Sequence, residues 1–230
     1  MRGSNPARPP EPGGGARLWI QEVFYTLQGE GPLVGEPSVF VRTAGCNLRC
    51  WWCDTDFESS GWRPSLDELL ARVEALRPPH CDLVVLTGGE PFRLNIVPLV
   101  EALLARGLRV QIETNGTLWH ELPRSPLLII VCSPKTKELH PAIVPRVDTY
   151  KYVVAAGEID AGDGLPNGST QHAGVAAPLY RPPAGAAVSV MPRDDDDAER
   201  NARNRAAATE AALRHGHRLT IQLHKVIGIR

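Results

Sequence analysis

A series of short apolar runs, each ending in a polar motif, constrains the fold of this chain more than any other feature. These runs occupy residues 82–86, 108–112, 127–131, 150–154 and 187–190. Each is too short for a typical helix, and near-continuous apolar strands are typical of parallel sheets, which are buried on both faces. A helical stretch at residues 95–106, stopped by Gly107, separates the first two runs. The pattern therefore predicts an α/β fold with a parallel sheet.

Further elements flank this series. They are strands at residues 18–27, 38–43 and 218–223, a helix at 65–76, and a helix that ends near residue 215. Ser65 and Glu68 fit a capping box that opens the first of these helices. Four acids at residues 194–197 precede the second helix, where their charge complements its dipole.

The length of 230 residues predicts one domain with a sizeable core. Residues 1–16 are rich in Pro and Gly and are predicted to form a disordered tail, so the domain is expected to span residues 17–230. Residues 157–185 lack hydrophobic periodicity and are rich in Gly, Pro and Ala. They are predicted to form an irregular, mobile surface excursion.

Charge and hydropathy narrow the function classes. The net charge of −1 gives no electrostatic case for binding nucleic acid or a membrane surface. The sequence has no long uncharged apolar run and no signal peptide, which predicts a cytoplasmic protein without a membrane partner. Five cysteines, three of them clustered, fit reduced thiols at a metal site better than secreted disulfides.

The polar motifs share one expected location. TGGE, ETNG, SPK and MPRD follow predicted strands, HK follows the last one, and the cysteine loop follows the strand at residues 38–43. The carboxyl ends of parallel strands lie at one edge of a sheet, where barrel-like folds build their sites. The six motifs therefore predict one cavity at that edge.

Cys46, Cys50 and Cys53 form a Cys-x3-Cys-x2-Cys pattern in one short loop. Their polar neighbours argue against buried structural thiols, and a zinc site would need a fourth protein ligand. The candidates for that ligand are His80, Cys81 and Cys132. Both of those cysteines lie beside apolar strand segments, which indicates a place in the core. An iron–sulfur cluster held by three thiolates, with one iron open to another ligand, is favoured over zinc.

The cysteine pattern, together with the Thr-Gly-Gly-Glu-Pro of residues 87–91, resembles the radical S-adenosylmethionine (SAM) superfamily. Other stretches resemble one of its members, the 7-carboxy-7-deazaguanine synthase family. These stretches are residues 24–31, 40–48, 53–56, 113–116, 132–135 and 222–225. The resemblance runs from Leu18 onward, except for residues 157–185. It implies an abridged (partial) TIM-like barrel of parallel strands, of the radical SAM type.

The resemblance also implies a reaction. The substrate would be 6-carboxy-5,6,7,8-tetrahydropterin, and a radical rearrangement would convert it to 7-carboxy-7-deazaguanine with loss of ammonia, towards queuosine and other deazapurines. The implied cofactors are a [4Fe-4S] cluster, S-adenosyl-L-methionine and Mg2+. The implied partners are a second copy of the chain, in a homodimer, and an electron donor such as flavodoxin or ferredoxin.

Positions that match the family motifs acquire expected roles. The cluster ligands would be Cys46, Cys50 and Cys53, and Thr55 would offer Mg2+ a hard oxygen. The implied cofactor contacts are Trp52, Cys53, Asp54, Gly88, Gly89, Glu90, Glu113, Asn115, Ser133, Pro134, Lys135 and Met191. The implied substrate contacts are Leu27, Gln28, Gly29, Glu30, Arg42, Thr87, His224 and Arg230. Arg42 suits a carboxylate because its guanidinium can donate two parallel hydrogen bonds. The sequence singles out no catalytic acid or base.

Two alternatives come from other classes of protein. A radical SAM activating enzyme, which acts on a partner protein, shares the cysteine loop and the GGE motif. It would leave residues 27–29, residues 54–56 and the terminal His-Lys pair without a role. A non-enzymatic zinc-binding interaction module would account for the thiols alone.

Overall fold

The structure is a computed structural model that describes residues 5–171 and 177–229. The strands are β1 (Ile20–Leu27), β2 (Pro37–Thr43), β3 (Leu83–Gly88), β4 (Arg109–Thr114), β5 (Leu128–Cys132), β6 (Thr149–Val154), β7 (Val188–Pro192) and β8 (Arg218–Leu219). The α-helices of the described residues are α1 (Leu66–Leu76), α2 (Val97–Ala105), α3 (Ala198–His215) and α4 (Leu223–Ile227).

The strands form one open sheet in chain order. β1 pairs antiparallel with β2, and every later neighbouring pair is parallel. β1 and β8 lie at the two edges, so the sheet does not close into a full barrel. This arrangement confirms the predicted α/β fold with a partial barrel of mostly parallel strands.

Local sequence explains the helices that cover this sheet. The capping box of α1 is present, with the Glu68 amide donating to Ser65 Oγ at 3.3 Å and the Ser65 amide donating to Glu68 Oε2 at 2.7 Å. Asp197 accepts the Arg200 amide at the start of α3, and Gly216 ends that helix in a left-handed conformation. The helices α1 and α2 pack near the first half of the sheet and α3 packs on its second half.

The partial barrel lacks covering helices in the middle of the chain. The connections from β4 to β5 and from β5 to β6, residues 115–127 and 133–148, contain no α-helix. The described part of residues 157–185 also contains no regular helix or strand. It is nevertheless tied to the body, because the Tyr180 amide donates to Thr136 O at 2.9 Å.

The last part of the chain differs from the prediction. A strand was expected at residues 218–223, but β8 ends at Leu219 and α4 follows. The Leu223 amide donates to Gly29 O at 2.9 Å, so the backbone bonds to the turn after β1 instead of continuing along the sheet. A tertiary contact therefore overrides the strand preference of this apolar stretch.

Residues 5–16, which we call the strap, also differ from the prediction of a disordered tail. The Arg8 amide donates to Cys46 O at 2.7 Å, and the Glu11 amide donates to Arg93 O at 2.8 Å. The buried Arg93 guanidinium in turn donates to Pro9 O and to Glu11. The strap is ordered by partners on the body, which its Pro- and Gly-rich composition does not reveal. Residues 1–4 lie outside the described residues.

Hydrogen exchange tests the order of the strap. We expect the amides of Arg8 and Glu11 to exchange at least about tenfold more slowly than in an unstructured peptide, because each is hydrogen-bonded to the body. The exposed Gly13 is the internal control and should exchange close to the peptide rate. Equally fast exchange at all three positions, measured by NMR, would contradict the ordered strap.

Candidate active site

Two adjoining cavities lie at the carboxyl edge of the sheet. The smaller has a volume of about 160 Å³ and the larger of about 620 Å³. Residues that line both are Thr87, Gly88, Glu113, Ser133, Lys135 and Lys151. All six polar motifs contribute to these linings, which confirms that they meet at one edge. Because the cavities share a wall, a molecule bound in one can contact a molecule bound in the other.

The three thiols of Cys46, Cys50 and Cys53 line the smaller cavity. Their loop is held against the end of β3, where the Glu90 amide donates to Gly45 O at 3.0 Å. A Cβ atom at Gly89 would lie 2.1 Å from the same oxygen, so the close approach requires glycine. The GGE motif thus shapes the cavity through its backbone.

The chemistry of this cavity fits an iron–sulfur cluster. Burial raises the pKa of Cys46 to about 12, with the charge of Glu90 as a further cause, and burial also raises the pKa of Cys53. Thiolates in such surroundings need cationic partners, which iron supplies. Cys81 and Cys132 line neither cavity. The described ranges contain no group of three or more His, Cys, Asp or Glu side chains arranged around a single ion.

Glu90, which is predicted to contact the cofactor, is held by groups of the protein itself. It is fully buried and lines neither cavity. Its carboxylate accepts hydrogen bonds from Thr114 Oγ1 and the Asn115 amide, both at 2.7 Å, and burial raises its pKa to about 7. Glu90 therefore ties the end of β3 to the end of β4. Pro134 is likewise outside both linings, so its predicted cofactor contact also lacks support.

The other predicted cofactor contacts line the cavities. Trp52, Asp54 and Met191 line the larger one, Gly89 and Asn115 the smaller one, and Gly88, Glu113, Ser133 and Lys135 line both. The Lys135 ammonium lies 5.5 Å from the centroid of the Trp52 ring, a cation–π contact, and burial lowers the pKa of Lys135. A cation thus stands at the boundary between the two cavities.

Of the predicted substrate contacts, Leu27, Gln28, Gly29, Glu30, Arg42, Thr87 and His224 all line the larger cavity. Arg230 lies outside the described residues. The approach of α4 to the turn after β1 requires glycine, because a Cβ atom at Gly29 would lie 2.3 Å from His224 Nδ1. Burial lowers the pKa of His224, which favours the neutral imidazole.

Arg42 is held by neighbours on β1. Its Nε donates to Glu22 Oε1 at 2.8 Å, and its guanidinium carbon lies 5.9 Å from the centroid of the Phe24 ring. These contacts orient the Arg42 side chain on the lining of the larger cavity. The hydrogen bond to Glu22 uses Nε and does not involve the two terminal nitrogens, Nη1 and Nη2. The geometry suits the binding of a ligand carboxylate.

The sequence prediction missed a buried ion pair network. Lys151, only 5% exposed, contacts Glu30 and lies 3.7 Å from Glu113, to which Gln28 also donates at 3.1 Å. Burial opposes the charge on Lys151, but Glu113 and Glu30 outweigh it and raise its pKa. For Glu30, burial is likewise outweighed by Lys151, so its pKa is lowered. The available signal was a lysine within an otherwise apolar strand.

Lys225 of α4 is a second residue that the prediction left out. Its ammonium contacts Asp54 Oδ2 at 2.5 Å and Asp194 Oδ2 at 2.7 Å. Gln222 donates to Glu30 at 3.1 Å and to Asp54 at 3.3 Å. The helix α4 thereby connects the cysteine loop with the end of β7 across the larger cavity. The HK motif predicts that this lysine lies at the edge where the site forms, but the sequence assigns it no role.

An oxygen-rich stretch follows the cysteines. Asp54, Thr55 and Asp56 all line the larger cavity, and Thr55 Oγ1 lies 3.3 Å from Asp54 Oδ1. The strap fixes this stretch, because Asn5 Nδ2 donates to Thr55 O at 2.7 Å. Lys225 contacts Asp54, and the Glu58 and Ser59 amides donate to Asp56, so both carboxylates have protein partners. The Thr55 hydroxyl is a hard oxygen donor of the kind that Mg2+ prefers, and it fits the predicted ion.

Comparisons with known proteins agree with this arrangement. The model of the Radical SAM superfamily matches residues 40–129. The 7-carboxy-7-deazaguanine synthase of Rhodospirillum rubrum is 65% identical over 234 residues, covering 100% of both chains. The 7-carboxy-7-deazaguanine synthase of Rickettsia prowazekii is 37% identical over 239 residues, covering 100% of this chain and 96% of the relative.

A solved structure resembles the fold. The crystal structure of QueE from Escherichia coli matches with a TM-score of 0.66 and 26% sequence identity, covering 90% of this chain and 95% of the other. In the described part of the chain, none of the helices has the length and apolar character needed to cross a membrane.

Proposed function

The chain belongs to the 7-carboxy-7-deazaguanine synthase family of radical SAM enzymes, and we propose that it converts 6-carboxy-5,6,7,8-tetrahydropterin to 7-carboxy-7-deazaguanine with loss of ammonia. One observation carries the proposal. A cavity lined by three thiols shares a wall with a larger, strongly charged cavity. A cofactor held in the first would therefore lie beside a polar substrate bound in the second. The activating enzyme and the zinc module both lie outside this family.

Cys46, Cys50 and Cys53 would hold the [4Fe-4S] cluster that the family implies, with S-adenosyl-L-methionine beside it. When bound, these groups supply hydrogen-atom abstraction. The chain itself positions them. Asn115 and the Gly88–Gly89 backbone line the cofactor side, while the Lys135 ammonium can pair with a carboxylate at the boundary.

On the substrate side, the side chains supply charges of both signs. Arg42 would bind the pterin carboxylate, and Thr55 would hold Mg2+ against substrate oxygens. Gln28 and His224 would complete the lining by hydrogen bonds. Lys151 fixes the carboxylates of Glu30 and Glu113 at the wall of the larger cavity. Both carboxylates would offer acceptors to the nitrogens of the pterin ring.

The wider setting follows from the same proposal. The enzyme would act in the cytoplasm, take its electron from a donor such as flavodoxin or ferredoxin, and feed queuosine or deazapurine synthesis. Exposed apolar side chains on the last elements, Leu213, Leu219, Val226 and Ile227, support a homodimer, which would cover them. Sedimentation velocity and reduction assays with each donor test these points.

Anaerobic reconstitution tests the function. The protein should take up about four irons per chain, as one four-iron cluster requires. The reduced enzyme with S-adenosyl-L-methionine and Mg2+ should then consume the carboxy-tetrahydropterin, followed by its ultraviolet spectrum. An iron-loaded enzyme that cleaves S-adenosyl-L-methionine but leaves the pterin intact would overturn the proposal.

Arg42→Ala separates substrate binding from cofactor chemistry. Losing the guanidinium should raise KM for the pterin by roughly 30- to 5,000-fold, the cost of truncating one partner of a charged pair that the bound ligand would bury. Reductive cleavage of S-adenosyl-L-methionine should persist in part, because Arg42 does not line the smaller cavity. Arg106→Ala, on the exposed end of α2, is the matched control and should behave as wild type. Equal loss of both activities in Arg42→Ala would refute this role.

A further inference from the structure

The irregular excursion reaches the cysteine loop through Ser169, Thr170 and Gln171, which we call the docking triplet. Ser169 Oγ donates to Lys135 O at 2.8 Å, and the Thr170 amide donates to the same oxygen at 3.3 Å. On its other side the Trp51 amide donates to Thr170 O at 3.2 Å. The triplet is therefore held between the end of β5 and the cysteine loop.

The side-chain amide of Gln171 has a fixed orientation. The Arg49 amide, which can only donate, contacts Gln171 Oε1 at 3.1 Å. This contact identifies the oxygen, so Nε2 is the atom that faces Cys50 Sγ at 3.3 Å. Gln171 is thus a donor to the sulfur of a proposed cluster ligand.

Thr170 supplies a second donor to the same sulfur. Its Oγ1 lies 2.9 Å from Cys50 Sγ and also accepts a hydrogen bond from Gln171 Nε2 at 3.1 Å. A thiolate that ligates a cluster can only accept, so the Thr170 hydroxyl would donate to Cys50 Sγ when the cluster is bound. Thr170 is only 8% exposed, so water competes little for this contact.

The other two thiols have different surroundings. Cys46 Sγ accepts from the Leu48 amide at 3.4 Å, within its own loop, and from a single more distant side chain, Asn115 Nδ2, at 3.9 Å. Cys53 Sγ lies 3.9 Å from Thr55 O, an acceptor. Two side-chain donors from a distant segment converge on Cys50, which distinguishes it from its neighbours.

We propose that Thr170 and Gln171 are positioning residues that raise the reduction potential of the cluster through hydrogen bonds to Cys50. The inference rests on the proposed ligation by Cys50. Hydrogen bonds to cluster sulfurs stabilise the reduced, more negative state and so ease its one-electron reduction. The irregular excursion thereby acquires a role in the proposed reaction, which begins with electron transfer to the cluster.

An EPR-monitored redox titration of the reconstituted protein, without S-adenosyl-L-methionine, tests this role. The double variant Thr170→Val, Gln171→Leu removes both donors and should shift the reduction equilibrium about tenfold towards the oxidised cluster, ~59 mV for a one-electron couple. Each single variant should shift the equilibrium less, in the same direction. Thr170→Ser keeps the hydroxyl and should restore the wild-type potential.

Arg181→Ala is the control for general loosening of the excursion. Arg181 donates to Pro166 O at 3.0 Å and pairs with Asp163 at 2.7 Å, and neither of these contacts involves Cys50. The reduction potential of the cluster in Arg181→Ala should match that of the wild-type protein. An unchanged potential in the double variant, or an equal shift in Arg181→Ala, would overturn the inference. If the double variant takes up no iron, the single variants decide by the same criterion.

Different results would contradict the proposed function. If the wild-type protein takes up no four-iron cluster, or Cys50→Ala retains the complete cluster, ligation by Cys50 is wrong. A wild-type cluster whose potential is insensitive to Thr170 and Gln171 contradicts only the role of the docking triplet.

Discussion

Replacing any one of Cys46, Cys50 and Cys53 with alanine is expected to abolish S-adenosyl-L-methionine cleavage and pterin conversion. In the proposed site three thiolates are the protein's whole ligand set for a cluster with one open iron, so two would not hold it at full occupancy. Iron retained after desalting should fall from about four per chain to a small remainder. The measurement is an iron and sulfide determination, with the visible absorbance of the cluster as a second readout.

Cys81→Ala is the matched control. Cys81 is buried, donates to Pro37 O at 3.4 Å and lines neither cavity. Its replacement should cost about 1 kcal/mol of stability, because a small buried group is lost, while the iron content stays at the wild-type value. Loss of iron in Cys81→Ala comparable to that in Cys50→Ala would show that unfolding, and not ligand removal, explains the cysteine effects.

Lys151→Met is expected to cost about 3–5 kcal/mol of unfolding free energy at neutral pH. The side chain keeps its bulk but loses the charge that compensates Glu30 and Glu113, both partly buried at the cavity wall. Two carboxylates would then face each other without a cation. Pterin conversion should be lost as well, since those carboxylates line the larger cavity, where we propose that the substrate binds.

The loss of unfolding free energy in Lys151→Met should become smaller as the pH falls. In the wild type the pKa of Glu30 is lowered, so its pairing contributes stability above the unfolded pKa, about 4.3, and loses it as pH falls through the folded value. Without Lys151, burial raises the pKa of Glu30 instead, so the variant loses stability as pH rises through that raised value. The difference between the two proteins should therefore shrink from pH 7 towards about pH 4.

Urea unfolding of both proteins across this pH range measures the difference. Lys137→Met, at an exposed position in the stretch after β5, is the control and should change stability by less than about 0.5 kcal/mol at every pH. A Lys151→Met penalty that is small, or that grows in acid, would contradict the buried pairing.

Much of the fold follows from local sequence. Strands β3 to β7 were predictable because each is a short apolar run that must be buried on both faces. The start of α1 was predictable because Ser65 and Glu68 cap it within four residues of each other. The convergence of the polar motifs follows as well, since parallel strands place their carboxyl ends together. These inferences need only neighbours in the chain or the rule of parallel pairing.

The partners of individual side chains could not be predicted from local sequence. Lys151 was visible as a lysine in a strand, but its partner Glu30 is 121 residues away. Glu90 was assigned to the cofactor by its motif, whereas the structure uses its carboxylate to join β3 to β4. A motif gives the position of a residue in the chain, and only the packing around it shows which way its functional atoms face.

The sequence alone determined the sheet, the edge at which the site forms and the three thiols that characterise it, because periodicity and spacing are local properties. The tertiary structure decided what surrounds those thiols. The strap pairs with Cys46, α4 lines the larger cavity, and the docking triplet contacts Cys50. None of these segments has a periodic pattern of its own. Each is ordered by hydrogen bonds to distant backbone and side-chain groups, and such bonds become visible only when the chain has folded.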